Sequence, residues 1–591
     1  MKVGYLITAR LKSTRLPEKL LREVEGHPIF THMLDRLKLA NRIDEIIICT
    51  STNPQDDRLE ELAQAQGVSC FRGDEDDVLK RLYNASVSFD LDYILNITAD
   101  CPFVDPIYVD KIVEAFETTN ADLIRTFSLP HGAFSYGINP VALSQILEIK
   151  ADNNTEVWGR YFTDTDLFKI YDLPINNPLH CQPGLRMTLD YPEDLEFFKA
   201  VFAALYKPGQ VFSLDEILLF LRDHPEVVAI NSHCAAAFQQ RWKRQSQIAL
   251  KPRHEIHRGA ILGCGSIGQR HIRNLRLLGI TDLIALRSHQ GHYTDLDSAL
   301  GVRETTDWNE LIDARPEIAI ISNPTSLHLE VASRLIPHVR GLFIEKPISD
   351  TLEGVAAFLD NLKDRRIVSF VGNNLQFHPV VLEIEKILES ERLGAPLSMQ
   401  CQVGHWLPEW HPYEDYRQAY YARKDLGGGT LLTLIHEVHL ALQLLGPSQA
   451  VTCFINPSAL LPLDVEVMAD LMLQHNSGAV SQIHLDFLQR PAHRQGVISC
   501  ENGWISYDLI RPQVAVQANG EDQPEITLQP ENFQVNDHYV EEMRTFLQYV
   551  REGRCRHAYD AWNGAQSLAV VTSALASADS SKTVIVPGVK R

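Results

Sequence analysis

Short apolar runs recur through the first part of the chain, at residues 3–7, 45–49, 69–71, 93–97 and 123–126. Between them, stretches such as 29–39 and 56–66 place apolar residues at helical spacing. Short buried strands alternating with amphipathic helices predict an α/β sandwich built on a largely parallel sheet. A second region of the same kind opens near residue 258, with strands expected at 259–262, 282–286, 318–322, 341–344 and 367–371 and a helix over 267–278. Past residue 380 the expected strands lengthen, to 396–405, 465–474 and 479–487, and a closing helix is expected over 540–550. That change in character predicts an α+β domain with an open sheet.

The two regions are joined by a stretch that breaks the pattern. From 238 to 258, Gln, Lys, Arg and His crowd together with little apolar periodicity, which reads as a basic linker or an anion-binding arm. The expected organisation is therefore four segments: 1–235, a linker at 236–257, 258–380 and 381–591.

Composition narrows the picture only a little. A chain of 591 residues exceeds one core, and 45% hydrophobic content is ordinary for a globular protein. A formal net charge of −21 argues against nucleic acid as a partner, since nothing balances its phosphates. The ten cysteines are scattered without metal-binding spacing, and no apolar run reaches the length of a membrane span. The strand-like opening leaves no room for a secretory leader, so a cytoplasmic protein with no membrane partner is expected. A homo-oligomer is also expected.

The first candidate site lies after the first strand. Arg10, Arg15 and Lys19 share one loop, Ala9 to Lys19, at the carboxyl end of that strand, where open α/β sheets bind ligands. Backbone amides around Ser13 can add anion contacts. Asp100 and Asp190 each end a later strand or strand-like run. Two carboxylates at one sheet edge can hold Mg²⁺, although both also fit turn caps ahead of proline. The loop, the segment Phe71-Arg72-Gly73-Asp74-Glu75-Asp76-Asp77-Val78-Leu79, and the Asp100 and Asp190 loops together resemble cytidylyltransferases, in particular the spore-coat-polysaccharide branch related to CMP-sialate synthetases. The resemblance covers about residues 1–233. It implies a nucleotidyltransferase α/β sandwich that transfers CMP from CTP to an acidic, nonulosonate-type sugar. It places Ala9, Arg10, Ser13, Arg15, Lys19 and Arg72 around CTP, makes Arg10 and Lys19 catalytic, and puts Mg²⁺ on Asp100 and Asp190. Where relatives would present sugar-contacting segments, this chain has Gly137-Ile138-Asn139-Pro140 and Thr155-Glu156-Val157-Trp158. A rival reading takes Asp74-x-Asp76 as the metal motif of a glycosyltransferase of similar fold.

The second candidate site follows residue 262. Gly263-Cys264-Gly265-Ser266-Ile267-Gly268 sits between a strand and a helix, the context in which such glycines admit a dinucleotide pyrophosphate. At the end of the next strand stands Arg287, suited to the 2′-phosphate of NADP or to stacking on adenine. Lys346, after Glu345, ends another strand at the same edge and can serve a hydride transfer or simply face solvent. His436 and His439 are three apart on one expected helix, able to bind a metal or face water. With Asn323 to His328, Glu345-Lys346-Pro347 and Asn374 to Pro379, these residues resemble the Gfo/Idh/MocA oxidoreductases over about 258–587. The resemblance implies a Rossmann domain binding NADP or NAD through Gly263, Gly265, Ser266, Ile267, Gly268, Arg287, Asn323, Glu345 and Lys346. It implies a catalytic pair, Lys346 and His436, and a cis bond before Pro347. Gln376, Thr433 and His439 stand where relatives carry Arg or acids. The whole chain is thus expected to be a bifunctional sugar-processing enzyme of surface-polysaccharide synthesis. Its other reading is a cytidylyltransferase carrying a non-catalytic, cofactor-sensing domain.

Overall fold

A computed structural model describes residues 1–12, 15–165, 167–232, 234, 248–288, 300–390, 392–411, 414–456, 458, 460–530 and 532–589. The chain divides into two compact units, Met1–Lys251 and Pro252–Arg591. Of the basic stretch at 236–257, residues 236–247 lie outside the described residues. Residues 248–251 belong to the first unit, where Ile248 and Leu250 are buried and Leu250 bridges Lys150. Residues 252–257 belong to the second unit, where Ile256 enters the core.

The first unit is built on a seven-stranded sheet in the order Ser69–Gly73, Glu45–Ser51, Val3–Thr8, Tyr93–Thr98, Tyr136–Ile138, Leu123–Arg125, Ile170–Asp172. The first four strands run parallel, with Val3–Thr8 central between Glu45–Ser51 and Tyr93–Thr98. The inner three, Glu45–Ser51, Val3–Thr8 and Tyr93–Thr98, bury apolar side chains on both faces, which is why they read as continuous rather than alternating runs. The short strand Tyr136–Ile138 enters antiparallel to both its neighbours.

In the second unit a fully parallel six-stranded sheet runs Arg303–Thr305, Asp282–Leu286, Arg258–Leu262, Ile318–Ile321, Gly341–Glu345, Val368–Gly372. A nine-stranded sheet follows, mostly antiparallel, from Pro396–Gly404 to Val584–Ile585. Its strands alternate buried and exposed positions, as at Met468–His475, so one face meets the core and the other is open. The late helix Val535–Glu552 does not join this sheet. It packs on the parallel one, burying Met543, Phe546, Leu547 and Val550 beside Phe343 and Phe370. Among the described residues, no helix is long and apolar enough to cross a membrane.

That helix depends on the absence of a side chain at Gly341, where a Cβ would lie 2.4 Å from Val550 Cγ2. Replacing Gly341 with Val is expected to destabilise the second unit by about 1–3 kcal/mol through overpacking. Denaturant unfolding should show the loss in the second unit's transition and none in the first.

Candidate functional sites

In the first unit four of the expected residues meet in one place, although Asp190 does not end a strand: it lies on an irregular segment held by the Leu189 N–H bond to the Asp100 carbonyl at 2.9 Å. Lys19 Nζ donates to Asp100 Oδ2 at 2.7 Å and to Asp190 Oδ1 at 3.1 Å. Arg15 donates to the same Asp190 oxygen at 2.9 Å and to the Tyr191 hydroxyl at 3.2 Å, with its guanidinium over the Tyr191 ring. The other Asp190 oxygen accepts from Arg186 at 3.0 Å. Burial opposes ionisation of Asp190, but Lys19, Arg15 and Arg186 hold its carboxyl well below the usual carboxylate range. Burial likewise works against charge on Lys19, and the facing Asp100 and Asp190 carboxylates outweigh it and raise its pKa. Asp100 also accepts from the Thr98 hydroxyl.

Behind Asp190 lies a support that spacing alone did not single out. Asp194, fully buried in the first turn of the helix Pro192–Leu205, accepts from the Asp190 and Tyr191 backbone N–H groups, from Asn231 and from Arg186. Arg186, 3% exposed at its side chain, therefore ties Asp194 to Asp190.

Other expected residues stand apart from this cluster. Arg10 donates to the Glu75 carbonyl at 3.1 Å and lies 3.7 Å from Asp76 and 3.4 Å from Glu156. Ala9 is buried, its N–H bonded to the Cys49 carbonyl, and Ser13 lies outside the described residues. Arg72 does not face the cluster: it donates to the Ser51 and Asn53 carbonyls and to Asp57 and Glu60, which makes it a tie between a strand end and a helix. Asp74, offered above as half of a metal motif, caps the turn at Asp76 and Asp77. Asn139 caps the helix Pro140–Ile149, and Thr155 bonds the buried Asp77.

The donor set at Asp100 and Asp190 fits Mg²⁺, which takes one or two protein carboxylates and completes its shell with phosphate and water. Both carboxylates reach a single ammonium nitrogen, so one cation can touch both.

In the second unit the glycine turn has the geometry its spacing implies. Gly263 adopts φ +95°, and a Cβ there would lie 2.5 Å from the Asn323 nitrogen. A Cβ on Gly268 would lie 2.1 Å from the Gly263 carbonyl oxygen, so the helix crosses the strand at backbone contact. At Gly265 a Cβ would meet nothing within 4 Å. The helix Ser266–Leu277, with Ile267 in its first turn, begins there with no side-chain cap, leaving its N–H groups for an anion. This turn fits a dinucleotide pyrophosphate.

Arg287 is buried and held by Glu304 at 2.6 Å. Glu345 also turns inward, its carboxylate accepting from buried His271 Nε2 at 2.7 Å, so it supports the floor instead of facing the turn. Lys346, joined by a cis bond to Pro347, donates to the Thr433 carbonyl at 2.7 Å. Burial pushes its pKa down to about 8; Glu345 and Glu437 oppose that shift and Arg494 assists it. His436 is pushed well below its usual range by burial and then by Lys346 and Arg494, so it stands neutral beside Lys346 with Nδ1 unpartnered. Asn323 Oδ1 and Thr433 Oγ1 are also buried without partners, which marks a polar recess suited to a ligand.

His439 corrects the paired-histidine expectation. Its nitrogens bond Gln376 at 2.6 Å and Ser567 at 2.8 Å inside the core, so it neither faces solvent nor shares a metal with His436. Among the described residues no group of three or more His, Cys, Asp or Glu is placed to hold a metal. Two contributors carry no local signal: Arg494 on a distant strand, in a bidentate pair with buried Glu437, and His538 on the late helix, bonded to Asn374 at 2.7 Å.

Residues 5–178 match the cytidylyltransferase family, 257–373 the oxidoreductase family with an NAD-binding Rossmann fold, and 381–506 the GFO/IDH/MocA C-terminal domain. An uncharacterised protein of Methanocaldococcus jannaschii is 32% identical over 241 residues, 39% of this chain and 96% of the relative. The 8-amino-3,8-dideoxy-manno-octulosonate cytidylyltransferase of Shewanella frigidimarina is 33% identical over 122 residues, 20% of this chain and 48% of the relative. Myo-inositol 2-dehydrogenase of Thermotoga maritima is 23% identical over 304 residues, 50% of this chain and 88% of the relative.

Gly265→Ala is expected to leave stability unchanged and to weaken dinucleotide binding at least about tenfold, roughly 1.4 kcal/mol. Gly268→Ala should cost stability as well. Fluorescence titration with NADH, read beside thermal melting, separates the two effects.

Proposed function

We propose two separate reactions on sugars for this chain, which belongs to the cytidylyltransferase family in its first unit and to the GFO/IDH/MocA oxidoreductases in its second. In the first, CMP passes from CTP to an acidic sugar. The observation that carries this reading is the Lys19 ammonium shared between Asp100 and Asp190, with Arg15 on the same carboxylate. Transfer forms a bond between a sugar hydroxyl oxygen and the α-phosphorus, breaks the bond to pyrophosphate and gives up the hydroxyl proton to water. Lys19 and Arg15 neutralise the phosphate charge that this shift moves onto the leaving group. Asp100 and Asp190 would hold Mg²⁺, which when bound spreads the phosphate charge further. Arg186 and Asp194 keep Asp190 oriented. An octulosonate is the sugar named for the Shewanella relative, and a ulosonic acid of that class is the acceptor we propose here.

In the second reaction Gly263, Gly265, Gly268 and the helix start at Ser266 would hold the dinucleotide, which when bound would supply or accept the hydride. Lys346 hydrogen-bonds the sugar oxygen and takes its proton during oxidation, returning it during reduction. Neutral His436 completes the proton path. Arg287 is committed to Glu304, which removes the guanidinium that a 2′-phosphate needs, so NAD is the cofactor proposed.

The two sites should fail independently. Asp100→Ala is expected to lower pyrophosphate release from CTP and a ulosonic acid by about 100-fold or more while sparing dinucleotide turnover. Lys346→Ala should do the reverse, losing about 10²–10⁴-fold in nicotinamide absorbance assays. If either substitution abolished both reactions, the two-site reading would fail.

The acidity of Lys346 sets a direction with pH. Oxidation needs the neutral amine, so kcat/KM for oxidation should rise through pH about 8 and level above it. Reduction needs the ammonium and should fall over the same interval. A profile without inflection near pH 8 in either direction would remove Lys346 from the proton path.

A further inference from the structure

We propose that Lys19 is an exchangeable counter-ion that a divalent cation must displace, so that metal and nucleotide enter the first unit's site together. This rests on the cytidylyl-transfer reading above. The cluster holds three carboxylates, Asp100, Asp190 and Asp194, and three cations, Lys19, Arg15 and Arg186, so its formal charges cancel. Both Asp190 oxygens are engaged, one by Lys19 and Arg15 and the other by Arg186. A dication approaching alone meets a balanced site and a lysine already seated between its two carboxylate ligands.

The three cations are not equivalent. Arg186 is fixed: its side chain is 3% exposed and grips both oxygens of Asp194, which is itself anchored by Asn231 and two backbone N–H groups. Lys19 and Arg15 belong to the loop after the first strand, and the Arg15 side chain is 26% exposed. They can leave the carboxylates only if other anions receive them. A nucleoside triphosphate supplies those anions and brings its own divalent cation. Lys19 and Arg15 then move to phosphate and the cation takes Asp100 and Asp190, so each carboxylate and each phosphate keeps a cation beside it. Arg186 remains as the permanent partner that keeps Asp190 ionised and oriented.

The exchange predicts a gain of function on removing a charge from the site. Mn²⁺ serves as the probe, since it shares the oxygen-ligand preference of Mg²⁺ and is read directly by electron paramagnetic resonance. The full chain without nucleotide is titrated as wild type, Lys19→Met and Lys19→Gln, with circular dichroism to verify folding. Both variants are expected to bind Mn²⁺ at least about tenfold more tightly than wild type, and adding Asp100→Asn to Lys19→Met should abolish the gain. Equal or weaker binding by both folded variants overturns the exchange, even if the wild type releases pyrophosphate from CTP. Tighter binding by variants of a protein that releases none would keep the exchange and remove the cytidylyl reading.

Discussion

Both sites depend on one constraint, the parallel pairing of buried strands. A parallel ladder allows no tight hairpin, so each strand must return through a crossover and every strand ends at the same edge. In the first unit Val3–Thr8 pairs in parallel with Glu45–Ser51 and Tyr93–Thr98, and the loop carrying Lys19 therefore meets the one carrying Asp100. In the second, Arg258–Leu262 lies between Asp282–Leu286 and Ile318–Ile321, which brings the glycine turn against Asn323. The chemistry is scattered along the chain and gathered by hydrogen-bond register.

What was legible in the sequence follows from the same constraint. Buried parallel strands announce themselves as apolar runs, and their ends fix where the ligand loops must fall. Gly263 and Gly268 could be read because their reason is local: backbone at positive φ or at contact distance excludes a Cβ. Side-chain partnerships formed between distant segments could not. Arg72 and Arg10 are both arginines near one edge, yet Arg72 finds the Ser51 and Asn53 carbonyls and two helix acids. Arg287 has the position for a phosphate, but Glu304 from the neighbouring strand claims it. The insertion of Tyr136–Ile138 was equally hidden, because three residues carry no readable period.

The late helix shows how far such a reading can miss by a few residues. Helical spacing suggested 540–550, whereas the helix spans Val535–Glu552. The added first turn holds His538, which bonds Asn374 beside the Lys346 recess. Helix ends are set by whatever the first turn packs against, and here that is a segment more than 150 residues away.

The two units solve opposite electrostatic problems, and this explains why their sites look so different. Moving a phosphoryl group shifts charge between oxygens, so the site needs fixed charge that is already compensated; Asp190 and the five charged side chains around it meet that need. Moving a hydride together with a proton needs a group that changes charge near neutral pH. Burial provides it, lowering Lys346 to about 8 and keeping His436 neutral, while Arg494 cancels against Glu437. A cluster like the first would hold Lys346 charged, and a dry recess like the second would leave triphosphate uncompensated. Each environment excludes the other's chemistry, which is a physical reason for housing the two reactions in separate cores of one chain.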